Sequence, residues 1–154
     1  MHHLFRAVGQ CLTPLDLPRA SHDYARFSFK RSLDGVYTQC VVCYTDADTS
    51  DTTDQTFQPE VPPTTGKVLN LNQRIENPAQ AERVAKAELR AKNCNEMTGS
   101  LEGMGDTRLV AGTVLKLSGW GHFDSECVVQ QATHNLDGDG GYRTSVELVK
   151  SLDY

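Results

Sequence analysis

No stretch of this chain stays apolar for the roughly 18 residues that a membrane-spanning helix needs. A charged, then apolar, then small-residue order is missing at the N-terminus too, so export through a signal peptide is not expected. The 15 basic residues are outnumbered by 20 acidic ones and scattered, for a formal charge of −5. That argues against tight, sequence-independent binding to nucleic-acid phosphates. Aromatic residues are only 7% of the total, with a single tryptophan, Trp120. The five cysteines (Cys11, Cys40, Cys43, Cys94 and Cys127) are odd in number and irregular in spacing, unlike a secreted disulfide framework. Free thiols made in a reducing cytoplasm are the expectation. Catalytic motifs are absent as well: there is no GxSxG, no HExxH and no cysteine set beside a base.

What remains is enough for one soluble domain of 154 residues, 38% hydrophobic and 23% charged. His2 and His3 carry no functional weight. Residues 1–24 read as irregular, with a possible short strand at 4–8 and breaks at Pro14 and Pro18. From Ala25 the residues alternate, with Phe27 and Phe29 on one face and Arg26, Ser28 and Lys30 on the other, as in a half-buried strand. Leu33-Asp34-Gly35 supplies a turn, and residues 36–44 form a β-prone run apolar enough to be mostly buried. Residues 45–67 are nearly all Thr, Asp, Ser, Gln and Pro, which predicts a long exposed loop. A short strand follows at 67–72.

Asn77-Pro78-Ala79-Gln80 predicts a helix start, with Asn77 as cap and Pro78 at the first helical position, and the helix should run to about Asn93. Its apolar stripe is narrow: Ala81, Val84, Ala85 and Leu89. Glu82–Lys86 and Glu88–Lys92 are favourable pairs on its exposed side. Residues 109–150 contain three alternating runs split by glycine-rich turns. In the last run Tyr142, Thr144, Val146 and Leu148 share one face, opposite Arg143, Ser145 and Glu147.

Each candidate for chemistry has a plainer reading. Cys40 and Cys43 have CxxC spacing, but residues three apart on a strand point to opposite faces, so the thiols should not converge on a metal. His122, Asp124 and His134 are possible ligands that nothing in the spacing brings together; a turn and a strand-end histidine account for them. Asp137-Gly138-Asp139-Gly140-Gly141 begins like a calcium loop, but the required later ligands are replaced by Gly141 and Leu148. Asp46, Asp48, Ser50 and Asp51 fail the same test, with Phe57 at the twelfth position. Gly119-Trp120-Gly121 is no dinucleotide fingerprint, because Asp124 stands where the third glycine belongs. Trp120 reads either as an interface anchor or as a partly buried turn residue.

A run of residue types in the second half resembles the phage late-control protein D family. It comprises Ala111-Gly112, residues 117–124 (LSGWGHFD), Gln131-Ala132-Thr133-His134 and Gly140-Gly141-Tyr142-Arg143-Thr144. Phe27-Ser28-Phe29, Val36-Tyr37 and residues 42–46 are similar to the strand pair before that family's acidic loop, and residues 77–93 to its helix. Members are about twice as long, so the chain resembles a C-terminal half. The resemblance implies a mainly antiparallel β fold, a curled sheet or tail-tube-like barrel over residues 25–154 with one packed helix. It further implies a non-enzymatic homotrimeric ring in the hub of a contractile-tail baseplate, joining tail tube to spike. Tape-measure protein and DNA would pass its lumen without specific binding, with no membrane, metal or cofactor involved. Two alternatives stay open. One is a hub component of a type VI secretion system or tailocin. The other is a small metal-binding or redox β-domain using Cys40, Cys43, His122 or His134.

Overall fold

In the structure, a computed structural model, residues 14–20, 24–45, 52–72 and 77–154 are described. The short strand expected at 4–8, the thiol of Cys11 and the acidic group Asp46–Asp51 lie outside them.

The alternating C-terminal runs fold as expected into the body of the molecule. β8 (Glu126–Asp137) and β9 (Gly141–Lys150) form a long hairpin whose turn is held by Asp137 accepting from the Gly140 amide. Gly141, at φ +70°, takes a left-handed conformation that only glycine enters without cost. β6 (Met97–Met104) adds to the far side of β9, and β2 (Tyr24–Arg31) to β6. On the other flank come β7 (Val114–Ser118) and β1 (Leu15–Pro18). The six-stranded sheet therefore runs β1-β7-β8-β9-β6-β2 and curls into a half-barrel. Bulges between Tyr24 and Arg26 and between Val129 and Gln131 shift the register, the usual device for increasing strand twist and bending.

Side chains on the concave face make the main core: Leu17, Leu101, Leu115, Leu117, Val129, Val146 and Leu148, all nearly inaccessible. Tyr142 is half-buried, and Thr144, Val146 and Leu148 are buried. Arg143 and Glu147 lie exposed on the opposite face, as the alternation requires. Trp120, in the turn after β7, is 8% exposed and belongs to this core. Its ring meets Tyr24, Phe27 and Phe29 at centroid distances of 5.6, 5.0 and 5.1 Å, and its Nε1 donates to the Leu17 carbonyl. Tryptophan thus ties the two ends of the curled sheet together, since Leu17 lies on β1 and the phenylalanines on β2.

A second sheet, in the order β4-β3-β5, is built from β3 (Gln39–Thr45), β4 (Thr52–Phe57) and β5 (Val68–Asn72). β4 forms inside the stretch 45–67 that composition marked as loop. Its threonines are β-formers, and pairing with the apolar β3 outweighs its polarity. β1 likewise arises within the segment expected to be irregular, where Pro18 ends a strand already at the sheet edge. Both β1–β7 and β3–β5 are parallel pairs in a fold otherwise antiparallel.

The helix α1 (Pro78–Asn93) starts and ends where the sequence placed it. Asn77 Oδ1 accepts from the Gln80 amide at 2.8 Å, satisfying one of the orphan donors at the helix start. Ala81, Ala85 and Leu89 are fully buried against Cys40 and Val42 of β3, with Phe57, Leu69 and Leu71 at the margin. Small alanines let the helix approach closely. Leu89 carries most of the buried area, worth about 1.5–3 kcal/mol.

Candidate functional site

The two cysteines of the CxxC point apart. Cys40 faces the helix and is fully buried, whereas Cys43 lies on the other face of β3 beside Asp54. Burial, with Glu88 nearby, pushes the Cys40 thiol up to about 11. Cys43 is also raised, first by its hydrogen bond to Asp54. Neither is prepared for thiolate chemistry.

His122 sits in a one-turn 3-10 segment, Gly121–Phe123. Asp124 accepts from the Trp120 amide at 2.5 Å and so closes the turn that presents the tryptophan. His134 lies within β8 rather than at its end. Its Nε2 is 3.0 Å from the Leu109 carbonyl, which can only accept, so Nε2 holds the proton. Nδ1 is then the acceptor, with one lone pair facing the hydroxyls of Thr144 and Tyr142, both 2.9 Å away, and Thr144 Oγ1 accepts from the Asp106 amide at 3.0 Å. Both nitrogens of His134 are engaged in pinning the 105–113 loop to the hairpin. Among the described residues no group of three or more His, Cys, Asp or Glu side chains could hold a metal.

The charged cluster with the firmest construction is one the sequence did not single out. Glu96, in the 3-10 turn Cys94–Glu96 between α1 and β6, is 4% exposed. Its Oε1 accepts from Arg31 Nη2 at 2.6 Å and Nε at 3.0 Å, and its Oε2 from Lys150 Nζ at 2.5 Å. Burial by itself would raise the carboxyl, and is the largest single effect. The hydrogen bonds and charges of Lys150 and Arg31 together outweigh it and hold the group below the ordinary carboxylate range. One helix end is thereby locked to the ends of β2 and β9. Next to it, buried Asn93 accepts from the Tyr37 amide and donates to the Tyr37 carbonyl, each at 2.8 Å, acting as a strand partner for the residue that leads into β3. Nothing in local periodicity marks Glu96 or Asn93, because their partners lie 54 to 65 residues away.

The outer edges of β1 and β2 carry no strand among the described residues. Cross-strand partners put Arg26, Lys30, Glu102, Arg143 and Glu147 on the convex face, with Ser28, Ser100 and Ser145 among them. Charge there is mixed, and the Arg143–Glu102 pair stands at 3.9 Å. Such a surface suits packing against another protein or contact with water.

The family model described as YQBQ-like matches residues 16–149. No curated protein has a sequence close enough to count as a match. Among solved structures, the fold is similar to that of the 43 kDa tail protein of prophage MuSo2 from Shewanella oneidensis. There the TM-score is 0.67 at 11% identity, covering 88% of this chain and 43% of that one. A tail protein of Neisseria meningitidis MC58 gives 0.62 at 14% identity, covering 88% and 44%. A chain in the virion of a native gene transfer agent particle gives 0.55 at 16%, covering 90% and 31%. The chain thus spans less than half the length of each of these structures.

Proposed function

The chain belongs to the YQBQ-like family, and from that premise we propose that it is a structural part of a phage tail, serving in the baseplate hub of a contractile tail. Its role is assembly and not catalysis. The carrying observation is the curled six-stranded sheet with a helix-covered second sheet, superimposable on tail proteins over 88% of the chain. In this reading copies of the chain form a homotrimeric ring joining tail tube to spike, as in the late-control protein D family it resembles. The uncovered edges of β1 and β2 pair between subunits, which hides an otherwise aggregation-prone rim. Tape-measure protein and DNA pass through the lumen, and the finished protein resides in the virion tail. The mixed charge of the convex face is compatible with a channel wall that does not hold DNA by phosphate attraction.

The likeness to a gene transfer agent virion favours a second reading, in which the same fold serves a related injection particle such as a tailocin or secretion spike. In either case, light scattering across a concentration series tests the ring. A mass three times that of the 17.0 kDa chain is expected. A monomer at every concentration rules out edge pairing by this chain alone.

A further inference from the structure

Where the ends of β2, α1 and β9 meet the 61–64 segment lies an open cleft of about 580 Å³, lined in part by the Glu96 cluster. Its walls include Leu33, Val61, Pro62 and Leu152. Val61 is 88% exposed and Leu33 53% exposed, a poor arrangement for aliphatic side chains in water. The polar groups facing this cleft are unbalanced toward donors. Glu96 spends both carboxylate oxygens on Arg31 and Lys150, so it has little left to accept a further donor. Arg31 uses Nε and Nη2, and its Nη1 has no partner among the described residues; Lys150 makes one bond with an ammonium that has three protons. The Tyr154 hydroxyl accepts from Asn93 Nδ2 at 2.9 Å, leaving its own proton to donate. Two cations against one carboxylate leave these three side chains formally +1, in a chain whose total is −5.

We propose that this cleft is a docking site for an extended peptide segment of another protein, one that carries a carboxylate beside an aliphatic side chain. The carboxylate sits over Arg31, Lys150 and the Tyr154 hydroxyl, and the aliphatic group covers Leu33 and Val61. Arginine offers its remaining N–H groups in a fixed plane suited to a carboxylate. Glu96 holds both cations in place beforehand, so little side-chain freedom is lost on binding. Pro62 and Pro63 supply a stiff wall with no amide hydrogen to satisfy. The inference stands apart from the ring: a monomeric chain has the same cleft.

The test is a titration of the full isotope-labelled chain, followed by NMR, with capped leucyl-glutamyl-leucine and with its glutaminyl and lysyl counterparts. The acidic peptide should saturate at millimolar concentration, shift Leu33, Val61, Lys150 and Tyr154, and weaken with added salt. Its neutral counterpart should bind at least about tenfold more weakly, with the loss confined to the charge term. Val61→Asp, which touches none of the ion pairs, should abolish binding with the fold intact; Lys150→Met should do so if that variant remains folded. Equal affinity for the three peptides, shifts mapping away from the cleft, or no saturable binding would each overturn the proposal. So would a Val61→Asp variant whose molar mass changes while the peptide never binds, because the cleft would then be an interface between copies.

Discussion

Asn93 shows how much one side chain can decide. An amide at a helix C-terminus is unremarkable in sequence, yet here it is fully buried and satisfies both backbone groups of Tyr37. Asn93→Ala should therefore cost about 2–4 kcal/mol, read as a lower urea midpoint, because two backbone groups lose their partner. Glu96 makes a prediction with a sign. Its carboxyl is held below the ordinary value of about 4.3, so the unfolded chain takes up the proton first. The stabilisation is complete above that ordinary value and is lost as pH falls through the lower value of the folded state. Glu96→Gln should destabilise by roughly 1.5–3 kcal/mol at neutral pH. The gap between variant and parent should close in acid, as thermal melts across pH can check. Cys40 and Cys127 are buried and their thiols raised, chiefly by desolvation. Labelling with a thiol reagent should leave both unmodified until the chain is unfolded by denaturant.

At the scale of elements, glycine on β6 lets an aromatic ring lie flat. Gly99 faces Phe29 across the β2–β6 pair, and a Cβ there would stand 2.5 Å from that ring. Phe29 cannot swing aside freely, since Trp120 and Phe123 flank it at 5.1 and 5.4 Å. Gly99→Ala should displace β2 and cost about 1–3 kcal/mol, measured by chemical denaturation and by a change in tryptophan fluorescence. Elements whose signals are local were legible beforehand. Helix α1 announces itself through Asn77, Pro78 and its alanine stripe, and β9 through strict alternation. β4 was hidden because its residues are polar; only the partner strand β3 makes it a strand. β6 was missed for a related reason: Gly99, Ser100 and Gly103 interrupt any apolar alternation, and the strand exists because β9 and β2 hold it from both sides.

The whole molecule joins a half-barrel to a helix-covered sheet through a few long-range polar bonds. Ser32 donates to the Glu96 carbonyl at 2.9 Å, Asn93 grips Tyr37, and Tyr154, beyond β9, packs on the helix cluster against Phe57. Cutting those ties should uncouple the two parts before either core melts. A doubly substituted chain, Asn93→Ala with Glu96→Gln, is accordingly expected to lose hydrogen-exchange protection in β3 and α1 ahead of β8 and β9.

The chain's own sequence determined the periodicities, the helix boundaries, the divergence of Cys40 from Cys43 and the mainly β class, because each depends on neighbours a few residues apart. It also carried the match to the YQBQ-like family. Tertiary structure alone decided that Trp120 is core, that β1 and β5 run parallel to their partners, and that Arg31, Glu96 and Lys150 meet over a cleft. Those outcomes depend on contacts between residues far apart in the chain, and a buried ion cluster leaves no period in the sequence from which it could be read.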